Sequence, residues 1–274
     1  MIQYLYLGRV GYEEGLRLQS EVTALVAEGH AQNVLLLLEH PPVLTLGRNA
    51  KRANILASDE LLARRGVAVH QINRGGDVTY HGPGQLVGYP IFDLRNLRGP
   101  SGGRMGPVDF VRLMEEALIR LCGAYGVRAG RIAGLTGVWC GAGEEIAGWE
   151  RKIGAIGIHV SRGITSHGFA FNVTTDLRDF DLIVPCGIPD HAVTSLALEV
   201  ENPEALPDLE SIAHQAARLF GQVFGQQILA VESLGMLRAQ AAETPRRFPA
   251  EDTPLKVPGE VERLLHMPER PTRA

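Results

Sequence analysis

Cys186 stands between Pro185 and Gly187, at the end of the apolar run 182–184. A strand that stops there leaves its last side chain facing a cleft, a placement that favours a reacting thiol over a packed one. An unperturbed thiol is only a few per cent ionised at neutral pH, so a nucleophilic cysteine needs a neighbouring cation or base. Only three of the 27 basic residues are lysines, Lys51, Lys152 and Lys256. Arginine supplies fixed charge, whereas lysine can also give up a proton, so each lysine invites a chemical question. Lys152 opens the stretch "KIGAIGIHVSRGITSHGFAFNV", in which Gly154, Gly157, Gly163 and Gly168 interrupt strand-like runs around His159 and His167. The spacing permits Lys152 and Cys186 to meet as base and nucleophile without requiring it.

A second glycine-rich stretch, "RGGDVTYHGPGQLVGYP", spans residues 74–90 and holds five glycines and two prolines. Glycine loses more conformational freedom on folding than any other residue, so such a cluster implies tight turns or the close approach of a ligand. Arg74, Asp77, Thr79, Tyr80, His81 and Gln85 are interleaved with it. It lacks the Gly-Lys-Ser/Thr ending of a phosphate-binding loop, and no helix opens directly behind it as a dinucleotide fingerprint requires. The remaining cysteines, Cys122 and Cys140, have no close-pair spacing, which argues against a disulfide framework or a zinc knuckle. Cys122 falls beside an apolar helical stripe and reads as core. No metal site is expected.

These residues need a scaffold. The chain has 274 residues, 45% of them hydrophobic, and a net charge of −4, so it carries a full core but no global field for nucleic acid or an anionic membrane. The first residues lack a basic segment followed by a long apolar core, and no 18-residue apolar run occurs, which reads as a soluble cytoplasmic protein. Apolar spacing predicts helices over 12–28, 58–65 with Ser58 as cap, 110–125 and 208–224. Strands are expected over 33–40, 43–46, 67–72, 86–94, 137–140, 153–160 and 168–173. Residues 97–107 read as a flexible surface loop. Helices and strands do not alternate regularly, so the expectation is one α/β (α+β) domain over residues 1–240 with a mixed, largely antiparallel sheet and flanking helices. Residues 241–274, rich in proline and alternating charge, read as a disordered tail.

Together "RGGDVTYHGPGQLVGYP", "KIGAIGIHVSRGITSHGFAFNV" and "IVPCGI" resemble, in order, the lipoyl(octanoyl) transferase family, over residues of about 34–198. The resemblance implies the fold of biotin and lipoate protein ligases and transfer of an octanoyl group from acyl carrier protein to a lysine of lipoyl domains. Cys186 then matches the thioester-forming nucleophile, and Lys152 the lysine that activates it. Arg74, Gly75, Gly76, Asp77, Val78, Thr79, Tyr80 and His81 match a first substrate-binding stretch. Ala155, Ile156 and Gly157 match a second, and Gly168, Phe169 and Ala170 a third. His81 is a further candidate for proton transfer or oxyanion support. The implied partners are acyl carrier protein, lipoyl domains of 2-oxoacid dehydrogenases and the glycine cleavage H protein, with no nucleic acid, membrane or cofactor beyond the carrier's phosphopantetheine. Lys51, Arg52, Arg64, Arg65, Arg151 and Arg162 are candidate contacts for acidic partners. The rival reading is an ATP-dependent lipoate ligase, which shares the first stretch but does not require Cys186.

Overall fold

The structure is a computed structural model that describes residues 1–100, 102–142, 150–187 and 191–243. The chain opens with strand β1 (Ile2–Arg9), helix α1 (Tyr12–Ala27) and strand β2 (Asn33–Glu39), a crossover that leaves β1 and β2 parallel. Strand β3 (Val43–Leu46), helix α2 (Asp59–Arg64), β4 (Ala68–Gln71), β5 (Val78–His81) and β6 (Gln85–Ile91) follow. Helix α3 (Pro107–Ala124) leads to β7 (Ala129–Ile132), β8 (Leu135–Cys140), β9 (Arg151–Ser161) and β10 (Ile164–Asn172). The last elements are β11 (Ala192–Val193), α4 (Leu196–Glu199), α5 (Leu209–Phe224), β12 (Ile228–Ala230) and α6 (Leu234–Glu243). The large sheet runs β12-β1-β2-β6-β10-β9-β8-β7, with β11 beside β9, and a small sheet runs β4-β3-β5. From β2 to β7 along the large sheet every neighbouring pair is antiparallel, so the sheet is mixed and largely antiparallel as expected.

The run "NVLLLLE" explains why the large sheet lies at the centre. Successive side chains of a strand point to opposite faces, and here both faces are covered. Leu35 and Leu37 join one core with Phe110, Met114 and Leu118 of α3 and Ile212 and Phe220 of α5. Val34, Leu36 and Leu38 join another with Leu18 and Val22 of α1 and Leu237 of α6. A third core lies under the small sheet, where Leu44, Val78 and Tyr80 meet Leu62 and Phe180.

Ser58 caps α2 by accepting the Leu61 N–H at 3.2 Å, as the sequence predicts. Seven elements were not expected from sequence: β1, β5, β7, β11, β12, α4 and α6. Helix α6 buries only Leu237 and Ala241, so it carries almost no apolar stripe. It runs to Glu243, across the expected boundary at 240; the rest of the expected tail, 244–274, lies outside the described residues. The 97–107 segment is tied at both ends, because Leu97 and Met105 enter the main core and Met105 N–H donates to the Leu97 carbonyl. Among the described residues no helix is long and apolar enough to cross a membrane.

Phe110 is fully buried and meets Phe92 and Phe224 edge to face at 5.6 and 5.4 Å. Phe110→Ala is expected to cost about 3–5 kcal/mol in denaturant unfolding through lost burial and a residual cavity. Val108→Ala, at a position 71% exposed on the same helix, should change stability by no more than ~0.5 kcal/mol.

Candidate active site

A cavity of about 310 Å³ opens where the small sheet leans over β9 and β10 of the large one. It brings together Cys186, Lys152, Arg74, Gly76, Asp77, Thr79, His81, Ala155, Ile156, Gly157, Gly168, Phe169 and Ala170 from the residues singled out by sequence. Gly75, Val78 and Tyr80 do not line it. The reason for two of these is strand alternation: on β5, Thr79 and His81 face the cavity while Val78 and Tyr80 face the third core. The Tyr80 hydroxyl donates to Asp179 at 2.7 Å. Gly75 instead joins the loop to β9, its N–H donating to the Ile158 carbonyl at 2.9 Å. His159 lies on β9 outside the lining, and Cys122 and Cys140 are buried in the main core.

Cys186 sits half-buried on a single turn, at φ 56° and ψ 16°. A non-glycine residue in this left-handed region costs of order 1–3 kcal/mol and persists only where its surroundings hold it. Val184 N–H donates to the Asn54 carbonyl at 2.8 Å, and Gly187 N–H to the Val184 carbonyl at 3.0 Å. Asp77 braces the turn from the other side. Its carboxylate accepts Val78 N–H and the Asn54 side-chain amide, each at 2.7 Å, and a Cβ on Gly187 would come within 2.6 Å of its Oδ2. Asp77 therefore links the first glycine-rich stretch to the turn that carries Cys186.

Lys152 is buried, and its Nζ lies 4.7 Å from the centre of the Trp139 ring. Trp139 is its cross-strand partner on β8. Among the described residues no carboxylate lies within ion-pair range of Lys152. The other wall is Gly137, at φ 130°, where a Cβ would stand 2.6 Å from the Gly154 carbonyl oxygen and 3.1 Å from Lys152 Cε. Gly137 N–H donates at 3.0 Å to Glu115, a fully buried carboxylate on α3 that also takes Arg112 at 2.6 Å and Arg131 at 3.0 Å. Sequence reading missed Trp139, Gly137 and Glu115. The one available signal was an acid set inside the apolar stripe of α3.

The Arg74 guanidinium is buried and bonds only neutral oxygens: the Thr45 carbonyl at 2.8 Å, the Thr45 hydroxyl at 2.9 Å and the Gly75 carbonyl at 3.0 Å. Burial pulls its pKa below the ordinary value, and the group that most opposes this is Cys186, ahead of Tyr12 and Asp77. The glycines make this loop fit. A Cβ on Gly157 would stand 2.7 Å from the Gly75 carbonyl oxygen and 3.2 Å from Arg74 Cδ.

Three buried histidines stand here: His81 and His167 line the cavity, and His40 lies beside His81. His81 Nδ1 meets the Gln85 side-chain oxygen at 2.8 Å, and its Nε2 meets the Thr45 hydroxyl at 3.3 Å. Gln85 spends its amide hydrogens on the Tyr80 carbonyl and Asn172, so its oxygen must accept and the His81 proton is assigned to Nδ1. Burial, then the neighbouring His40, pushes His81 down to about 3. His40 bonds the Val10 carbonyl and the Tyr89 hydroxyl, and burial lowers it to about 4. His167, at φ 56°, bonds Asn73 at 2.7 Å and is likewise lowered to about 4, first by burial and then by Arg74. Both ring nitrogens of His81 are thus engaged, and burial disfavours its charged form. Of the candidate docking residues, Arg52, Arg65 and Arg151 already pair with Asp59, Asp179 and Glu199.

The sequence matches the family model described as the lipoyl protein ligase A/B catalytic domain over residues 11–217. It is 61% identical to an octanoyltransferase of Acidobacterium capsulatum over 244 residues, covering 88% of this chain and 98% of that protein. An octanoyltransferase of Koribacter versatilis is 50% identical over 249 residues, covering 91% and 94%. Among solved structures, lipoate-protein ligase A bound with ATP superposes with a TM-score of 0.65 at 15% identity, covering 89% of this chain and 94% of its own. A bipartite lipoate protein ligase from Thermoplasma acidophilum gives 0.63 at 16%, covering 88% and 90%. At these identities the structures share the fold alone, which is the lipoate ligase-like fold expected from sequence.

The buried histidines predict a pH dependence. Unfolded, each binds a proton near its ordinary value of ~6.5; folded, only near 4 or 3. Below pH ~6.5 the unfolded chain therefore holds more protons, and stability should fall as pH drops, by up to ~1.4 kcal/mol per pH unit for each histidine, levelling off below the folded values. Urea unfolding at pH 7, 6 and 5 checks this, and a flat profile contradicts it.

Proposed function

Because the chain belongs to the lipoyl protein ligase A/B catalytic domain family, we propose that it carries out octanoyl transfer for protein lipoylation, through a thioester on Cys186. The donor is octanoyl-acyl carrier protein, and the acceptor is a lysine of lipoyl domains in 2-oxoacid dehydrogenases or of the glycine cleavage H protein. The observation that carries this reading is the convergence of Cys186, Lys152 and Arg74 on one cavity. A ligase that activates its substrate as an adenylate does not need a cavity thiol, and this favours the transferase over its rival.

The Lys152 amine takes the Cys186 proton, and the thiolate attacks the carbonyl of the octanoyl thioester. The tetrahedral oxyanion forms in a cavity that already contains the buried Arg74 cation, a fixed charge that needs no reorganisation. The C–S bond to the phosphopantetheine breaks, and the carrier leaves with the proton from Lys152. In the second half-reaction the acceptor amine attacks the Cys186 thioester, Lys152 removes a proton from the attacking nitrogen, and Cys186 leaves as the amide forms. Bond energy passes from thioester to thioester to amide, so neither nucleotide, metal nor cofactor enters. The seven carbons beyond the carbonyl gain roughly 5–6 kcal/mol from burial at ~0.8 per group, enough to prefer octanoyl over acetyl.

Transfer is expected in magnesium-free, ATP-free buffer, and an absolute ATP requirement with free octanoate as donor would favour the ligase instead. Lys152→Arg keeps the charge but cannot accept a proton, so single-turnover rates of both half-reactions should fall at least ~10²-fold. Near-wild-type rates for the arginine enzyme, with loss only in Lys152→Met, would leave Lys152 as a fixed cation.

A further inference from the structure

The cavity follows β9 and β10 and also crosses from strand to strand. Its lining takes Leu135 from β8, Lys152 from β9, Gly168 from β10 and Tyr89 from β6, four strands that are consecutive neighbours in the large sheet. Neighbouring strands lie ~4.8 Å apart, so β9 and β6 are separated by about 10 Å, a span comparable with an extended eight-carbon chain. Lys152 therefore marks the chemical end, and Tyr89 the far end. Gly168 fits at the far end between the Gly88 carbonyl and the Pro90 ring, opposite Tyr89.

At that far end stands Tyr12, the first residue of α1, which is only 7% exposed. Its ring stacks on His81 at 6.2 Å, meets His40 edge to face at 5.1 Å and packs against His70 at 5.1 Å. His40 and His81 are locked by hydrogen bonds through both ring nitrogens. Among the described residues the Tyr12 hydroxyl makes no hydrogen bond, so packing alone holds the ring. Behind it lies a second cavity of about 330 Å³, with Pro41, Pro42 and Val43 on its wall and Glu13, Glu14 and Arg17 around it. Tyr12 is the single described residue that lines both cavities.

We propose that Tyr12 is the end-stop that sets acyl chain length, a one-residue partition between the acyl cavity and the space behind it. The inference rests on the acyl-transfer reading above. A methyl terminus that reaches Tyr12 has filled the cavity, and each further methylene must displace the ring or fold back. Removing the ring joins the two spaces and gives longer chains an apolar path past Pro41 and Pro42. Because the ring carries no hydrogen bond to a described residue, its loss strands no partner.

The test measures equilibrium binding of free saturated carboxylates from eight to fourteen carbons to the full chain, alongside octanoyl transfer from octanoyl-acyl carrier protein. For the wild type, affinity should stop rising with length near eight to ten carbons. In Tyr12→Ala the break should move outward, with dodecanoate bound at least ~10-fold more tightly than by wild type, while Tyr12→Phe keeps the wild-type break. Tyr12→Leu, which preserves an apolar first turn, gives the same outward shift to a smaller extent and serves if the alanine variant does not fold. No break in the wild-type series, or a break that stays in place in a folded Ala or Leu variant, overturns the end-stop. Failure of the wild type to transfer octanoyl, with the length break present and movable, overturns the catalytic reading and leaves the end-stop standing.

Discussion

The Arg74 guanidinium is out of water and hydrogen-bonded to neutral oxygens alone, the carbonyl and hydroxyl of Thr45 and the Gly75 carbonyl. Such a buried cation carries a penalty of several kcal/mol unless its donors are satisfied. The loop that carries it lies directly on β9, where Gly157 has no side chain to hold it off. The same contact leans the small sheet over the large one. It thereby sets Thr79, His81 and the Asp77 brace against the strands that carry Lys152, Ala155 and Gly168. The glycines of the two stretches thus serve first to let the protein approach itself, and the cavity is the space that this close docking leaves.

From that contact a hydrogen-bond chain runs through the interior. Arg74 donates to the Thr45 hydroxyl, Thr45 meets His81, His81 donates to Gln85, and Gln85 donates to Asn172. Asn172 donates to the Thr194 carbonyl, and the Thr194 N–H donates to the Lys152 carbonyl. A fully connected buried network of this kind fixes one arrangement, because any displaced member strands a polar group. Here it ties the loop that carries Arg74, β10 and the backbone of Lys152 into one unit. Lys152 is positioned from the opposite face as well, through Gly137 and the buried Glu115 of α3. Helix α3 thus contributes both core packing and the placement of a site residue.

Much of this was legible in the sequence. The helices α1, α3 and α5 announce themselves through apolar stripes, β2 through an unbroken apolar run, and α2 through its Ser58 cap. The cavity residues were legible because glycines and prolines cluster where backbone meets backbone, and because one cysteine and one lysine stood out against their surroundings. What escaped depends on contacts distant in sequence. Strand β12 has three residues and exists because β1 pairs with it, 226 positions away for Ile2 and Ile228. Tyr12 reads as the start of an amphipathic helix, and only the fold brings it to His81. Val78 and Tyr80 stand within the first glycine-rich stretch yet face the third core, since strand alternation depends on which face the fold covers.

The central claim is that the strained turn at Cys186 presents a nucleophile that carries the acyl group. Intact-mass measurement of the full chain, after brief mixing with octanoyl-acyl carrier protein and no acceptor, tests it most directly. The account predicts a single octanoyl adduct that maps to Cys186, is removed by hydroxylamine, forms equally in Cys140→Ser and is absent in Cys186→Ser. Octanoyl transfer to a lipoyl domain that proceeds without any adduct, or an adduct that persists in Cys186→Ser, would contradict it.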